Sequence, residues 1–188
     1  MKKFLASFQR VLVSLITAAC FAAPGEAEMP LEPLRKAPEI SGPVWFNVES
    51  FPRISIKSLR GDVILVVFWS STDVYSRKAM EYINDWYARY QDKGFVVIGV
   101  HSMDWGFDMS EPTVEKEIKY LNIKFPVFLD IEGKAGMAYD QTSRPSLFLI
   151  DRKGYVRGEY KFGFSWENVH TLLRHLLEEG SSRLLDQL

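Results

Sequence analysis

Residues 63–90 read VILVVFWSSTDVYSRKAMEYINDWYARY, and two different periodicities meet inside them. Val63 to Trp69 is an unbroken β-branched and aromatic run, the pattern of a strand buried on both faces. Ser70, Ser71, Thr72 and Asp73 interrupt it, and Ser76, Met80, Ile83, Tyr87 and Tyr90 then recur at helical spacing. Thr72 or Asp73 is a natural N-cap, because either side chain can accept from an orphan N–H of the first turn. The stretch therefore predicts a buried strand, a tight turn, and a helix whose N-terminus points into the cleft above the strand.

Downstream, Lys93-Gly94 ends the helix with a C-terminal glycine, and Phe95 to His101 is a second buried run. A strand–helix–strand unit of this length implies a parallel pair with a right-handed crossover. The loop from His101 through Trp105 to Asp108 then falls at the carboxyl edge of the sheet, where α/β folds bind ligands. Val114, Ile118 and Leu121 mark a short helix over Thr113–Leu121. Phe125–Asp130 and the proline-led Arg144–Asp151 read as strands, Lys134–Tyr139 as one or two helical turns, and Tyr155–Tyr160 as the second arm of a hairpin. Ser165 is placed to cap a last helix carrying Val169, Leu172, Leu173, Leu176 and Leu177, and residues 181–188 read as a short helix or a frayed tail. Upstream, four prolines in residues 28–43 suggest an extended leader, and Val44–Val48 with Arg53–Ile56 suggest a short hairpin.

The helix-tip segment Phe68-Trp69-Ser70-Ser71-Thr72-Asp73-Val74-Tyr75-Ser76-Arg77 resembles the active-site element of the thioredoxin superfamily, F-W-A-x-W-C-x-x-C-R. The two cysteines of that pattern fall on Asp73 and Ser76. Val97-Ile98-Gly99-Val100-His101-Ser102, Phe125-Pro126-Val127 and Phe148-Leu149-Ile150-Asp151-Arg152-Lys153-Gly154 are similar to the TlpA/ResA/DipZ-type, AhpC/TSA-like redoxin branch. The resemblance implies an α/β, thioredoxin-like fold over residues 44–180: a central mixed sheet flanked by helices, with an N-terminal hairpin extension. It also implies a cis peptide before Pro145, preceded here by Arg144, and a groove at that site able to hold an extended peptide.

Composition narrows the rest. The 188 residues are 47% hydrophobic, enough for one globular domain, and a net charge of −1 without a basic stripe argues against nucleic-acid binding. Lys2, Lys3 and Arg10 precede an apolar stretch from Val11 to about Ala23, then Pro24-Gly25-Glu26-Ala27. That is the make-up of a secretory signal over residues 1–27, with cleavage expected after Ala22 or Ala27 and a periplasmic or envelope location. Cys20 is the only cysteine, and Ile16–Cys20 is loosely similar to a lipobox. Lipidation at Cys20 is the alternative to simple secretion and the one route to membrane association.

Thiol–disulfide exchange needs a thiolate to attack and usually a second thiol to resolve. Near the helix tip the sequence offers an acid and alcohols instead, so reductase, isomerase and thiol-peroxidase chemistry are excluded unless a partner supplies every sulfur. What remains is binding without electron transfer, of a peptide or protein partner in the cell envelope, with no cofactor. The groove residues expected are Thr72, Asp73, Tyr75, Ser76, His101, Trp105, Arg144 and Pro145. The competing reading is a glutathione- or thiol-binding enzyme in which Ser76, Ser70 or Ser71 donates to the ligand sulfur. His101, Asp104 and Asp108 match no tight metal-ligand spacing, so His101 reads as a hydrogen-bonded structural residue and no metal is expected. His170 and His175, at i and i+5 on the last helix, read as solvated.

Overall fold

The computed structural model describes residues 34–51, 53–102 and 110–185. In chain order the elements are β1 (Trp45–Phe46), β2 (Val63–Trp69), α1 (Val74–Tyr90), a 3₁₀ turn (Gln91–Lys93), β3 (Phe95–Ser102), α2 (Glu111–Tyr120), β4 (Val127–Asp130), α3 (Lys134–Ala138), β5 (Ser146–Ile150), β6 (Val156–Tyr160) and α4 (Trp166–Leu185). They form one six-stranded sheet in the order β1-β4-β3-β2-β5-β6. The β2/β3 and β3/β4 pairs are parallel and the others antiparallel, so the sheet is mixed.

β2 sits inside the sheet, and all seven of its residues are buried. Its alternation divides the core. Val63, Leu65, Val67 and Trp69 face the layer made by α1, α2 and α4, where Ala79, Met80, Ile83, Val114, Ile118, Val169 and Leu173 pack. Ile64, Val66 and Phe68 face the opposite layer, with Ile40, Ile56, Leu59, Ala135 and Tyr139. Burying one large aliphatic or aromatic side chain stabilises by roughly 1.5–3 kcal/mol. Ion pairs such as Arg89–Asp85 and Lys119–Glu115 are exposed and screened by solvent, so packing rather than charge holds the fold.

The turn that closes α1 follows from its sequence. Gly94 adopts a left-handed conformation (φ 75°) that a Cβ would disfavour. Arg152, at the β5–β6 turn, gathers carbonyls from three places: Nη1 donates to Gly61 O at 2.5 Å, and Nη2 to Lys93 O and Leu177 O at 3.4 Å each. One guanidinium thereby ties the approach to β2, the end of the 3₁₀ turn and the interior of α4 to the sheet.

Two expectations need correction. The hairpin between Val44–Val48 and Arg53–Ile56 does not form. Trp45 and Phe46 pair instead with Phe128 and Val127 on the outer edge of β4. Asn47 turns the chain there with positive φ (55°), and its Nδ2 donates to Ile123 O and Phe125 O, while Ser55 and Ser58 close a hydrogen-bonded turn. An open edge of an existing sheet is a better partner than an isolated two-stranded ribbon. At the other end, α4 runs to Leu185 with no break near 180, since one interior glycine costs a helix only about 1 kcal/mol. The leader also contributes: Ile40 is wholly buried, Lys36 bridges to Tyr155, and Ala37 N–H donates to Gly154 O at 3.0 Å.

Candidate functional site

The tip of α1 is built by Asp73. In extended conformation (φ −88°, ψ 121°) it is the N-cap, and its Oδ2 accepts from Ser76 N–H at 2.7 Å. Of the two candidate caps, the structure uses Asp73, while Thr72 is exposed and bonds through its hydroxyl to Ser70 Oγ at 2.9 Å. No other acid occupies the first turn, so the Asp73 carboxylate alone faces the positive end of a 17-residue helix. Ser76 is 0% exposed, and its Oγ finds no hydrogen-bond partner among the described residues. The two positions that carry cysteine in the resembled pattern therefore hold a capping acid and a sealed hydroxyl.

His101 lies opposite Trp69 in the β2/β3 register, 2% exposed, with its ring edge-on to the indole at 4.7 Å. Its Nε2 accepts from Ser71 N–H at 3.4 Å and lies 3.4 Å from Ser71 Oγ. It steadies the β2–α1 turn from below, which is the structural role expected of it, and it presents almost no surface to a ligand. Trp105, Asp104 and Asp108 lie outside the described residues, as does Cys20. Among the described residues, no three His, Asp or Glu side chains are grouped to share a metal ion.

The Arg144–Pro145 peptide is cis. Beside it opens a groove of about 310 Å³, lined by Tyr75, Lys78, Ala79 and Tyr82 from α1, Arg144 and Pro145, Phe162, Gly163 and Phe164 from the β6–α4 loop, and Trp166 at the start of α4. Of the residues expected from sequence, Tyr75, Arg144 and Pro145 line it. Asp73, Thr72, Ser76 and His101 do not. Tyr75 is 67% exposed and Phe162 83% exposed, so the rim is aromatic and open to solvent. The floor is ordered by ring packing: Tyr82 stacks on Trp166 at 4.7 Å, and Phe164 meets Trp166 edge-on at 4.9 Å.

Half of this groove escaped the sequence reading. Phe162 and Phe164 in the loop before α4 and Trp166 at its first residue alternate along the chain, about 90 residues beyond the helix tip they complete. Three alternating aromatics outside any strand pattern and off the apolar stripe of the last helix were the available signal. A larger cavity, about 570 Å³, lies on the other side of Arg144 and is lined by Asp130, Glu132, Asp140, Ile131 and Met137. The Asp130 carboxylate is already engaged there, accepting from Ala135 N–H and Gly136 N–H at 3.2 and 2.9 Å.

The two helix histidines diverge. His175 is exposed, with Glu179 at 3.1 Å, as a solvated residue would be. His170 is half-buried: it stacks on Trp86 at 5.3 Å and meets Tyr90 Oη through Nε2 at 2.9 Å. Burial holds its pKa below the ordinary value, and the nearby Arg174 and Arg89 push the same way, against Asp85.

The mixed sheet, the capped helix tip and the facing cis-proline together define a thioredoxin-like protein. A solved thiol:disulfide interchange protein of the thioredoxin family from Chlorobium tepidum TLS superposes with a TM-score of 0.62 at 21% identity, covering 77% of this chain and 97% of that one. Residues 33–159 match the AhpC/TSA family, and the chain belongs to it. It is 36% identical over 151 residues to protein DipZ of Mycobacterium tuberculosis (strain CDC 1551 / Oshkosh), which covers 79% of this chain but 22% of DipZ, so it spans about a fifth of that relative's length. It is 28% identical over 124 residues to thiol-disulfide oxidoreductase ResA of Bacillus cereus (strain ATCC 10987 / NRS 248), covering 66% of this chain and 69% of ResA.

Proposed function

We propose that this chain is an exported, redox-inactive member of its family that binds an extended peptide segment of a partner protein in the cell envelope. One observation carries the reading: the groove at the helix tip and cis-proline is complete and aromatic, while Asp73 and Ser76 stand where thiols would be needed. A carboxylate or hydroxyl cannot enter the mixed-disulfide step. The binding surface survives, and the electron-transfer function does not. Residues 1–27 act as the export signal in this reading, with membrane attachment only where Cys20 is lipidated.

The glutathione-type reading loses ground on burial. Ser76 and Ser70 are 0% and 1% exposed, so neither hydroxyl can reach a ligand sulfur without opening the turn, which leaves the half-buried Ser71, 3.4 Å from His101 Nε2, as the hydroxyl that reading needs. Two measurements on the purified full-length chain test the proposal together. An array of overlapping 13-residue peptides, each presented extended, should contain binders whose signal falls at least tenfold for Phe162→Ser and Tyr75→Ser. Calorimetric titration with glutathione should give no heat of binding. An array without binders, or insulin reduction by the chain above the dithiothreitol background, would refute the reading. Intact mass of the processed chain fixes the cleavage site and the state of Cys20.

A further inference from the structure

Ser71 and His101 form a hydroxyl–imidazole pair that peptide binding does not use. We propose that this pair is a nucleophile and its general base, and that it cleaves small carboxylic esters by way of an acyl-serine. Ser71 is half-buried in the β2–α1 turn, and His101 lies beneath it, 2% exposed. His101 Nε2 accepts from Ser71 N–H at 3.4 Å and stands at the same distance from Ser71 Oγ. A ring nitrogen that accepts an N–H carries no proton of its own, so Nε2 is the basic nitrogen, and it faces the hydroxyl. Both contacts are long for a resting hydrogen bond, as catalytic contacts often are until a substrate tightens them.

The surroundings hold the pair in place. Trp69 meets the His101 ring edge-on at 4.7 Å. Arg77 Nη1 donates to Ser71 O at 3.4 Å. Around Ser71 the turn is closed by Thr72 N–H to Ser70 Oγ at 3.2 Å and by Asp73 N–H to Ser70 O at 3.3 Å. Reacting groups fixed beforehand spare the entropy of bringing them together. α1 begins three residues beyond Ser71, and the Asp73 cap takes Ser76 N–H. The Val74 and Tyr75 N–H groups have no acceptor within the helix and are the donors nearest in sequence for the oxyanion that develops. The reaction needs only ester and water. Ser71 Oγ bonds to the ester carbonyl carbon as His101 takes the hydroxyl proton; the bond to the alcohol oxygen breaks, and the alcohol leaves with that proton. Water then attacks the acyl-serine, with His101 taking its proton and returning it to Oγ, so the carboxylic acid departs and the hydroxyl is restored.

The test treats the full-length chain with a fluorophosphonate, which traps a base-assisted serine by forming an Oγ–P bond with loss of fluoride. A single adduct should appear by intact mass, map to Ser71 and be absent in Ser71→Ala. The labelling rate should rise with pH through a single ionisation to a plateau, and should fall about 100-fold or more in His101→Gln, the scale of general-base assistance. Release of p-nitrophenolate from p-nitrophenyl acetate should drop to the reagent's background in Ser71→Ala, whose fold is checked by tryptophan fluorescence. No adduct, or an adduct that persists in Ser71→Ala, overturns the proposal. Labelling of Ser71 that ignores pH overturns the role of His101, even where His101→Gln does not fold.

Discussion

Replacing Asp73 by alanine tests whether the residue standing in a cysteine position is a structural cap. The substitution removes the bond from Ser76 N–H to Oδ2, 2.7 Å long, at a residue with no solvent exposure. Water can therefore replace the lost acceptor only by entering the turn. Loss of an N-cap costs about 0.5–2 kcal/mol, and loss of an anion at a helix N-terminus about 0.3–1 kcal/mol; the two overlap. Asp73 is only half-buried, which damps the charge part, so about 1.5 kcal/mol is expected for Asp73→Ala. For a chain of this size that lowers Tm by about 3–6 °C. Asp73→Asn keeps an acceptor and gives up the charge, so it should cost about 0.5 kcal/mol. Urea unfolding at pH 7, followed by tryptophan fluorescence, measures both, with the slope m unchanged. A loss below about 0.3 kcal/mol in Asp73→Ala would refute the capping account, as would equal losses in the two variants.

Other consequences are equally direct. Because burial holds the folded-state pKa of His170 below its unfolded value, the unfolded chain binds its proton first. The stability linked to neutral His170 is thus fully present above about pH 6.5 and is lost as pH falls from there toward the folded pKa. His170→Phe should keep the stacking on Trp86 and flatten that part of the pH profile of the urea midpoint; an unchanged profile would refute it. Arg152→Ala releases the carbonyls of Gly61, Lys93 and Leu177 and should cost about 2 kcal/mol, with Arg152→Lys recovering less than half because a lysine lacks the planar fork. Asp73→Cys combined with Ser76→Cys puts thiols back at a helix N-terminus, whose field favours the thiolate. That double variant should reduce insulin in the presence of dithiothreitol well above the rate of the unmodified chain, which should equal the reagent alone. Failure of the folded double variant to do so would show that more than the cysteines was lost.

Much of the framework is legible in one dimension because local pattern and global burial agree. Val63–Trp69 reads as a fully buried strand and is one, and α1 buries Ser76, Met80, Ile83 and Tyr90, four of the five residues its spacing singled out. Gly94 ends the helical segment as its sequence predicts, closing the 3₁₀ turn that follows α1. The same agreement makes Asp73 readable as a cap, since a cap is a contact across three residues. Where the reading failed, the deciding partner was distant. Trp45-Phe46 has strand character either way, and only the open edge of β4 settles what it pairs with. His170 looks solvated on a helical wheel, and only the packing of α4 on α1 brings Trp86 and Tyr90 against it.

The amino-acid sequence alone determines the strand–turn–helix unit and the acid and hydroxyl at the two positions of its tip that carry cysteine in the resembled pattern, because these depend on residue identity and short-range spacing. The tertiary structure decides where a ligand can sit. Phe162, Phe164 and Trp166 become walls of the same groove as Tyr75 and Tyr82 only once β6 and α4 have folded back beside α1, and His101 leaves the surface only once Trp69 and Ser71 close over it. Contacts between residues far apart in the chain are set by the packing of whole elements, and no local pattern encodes them.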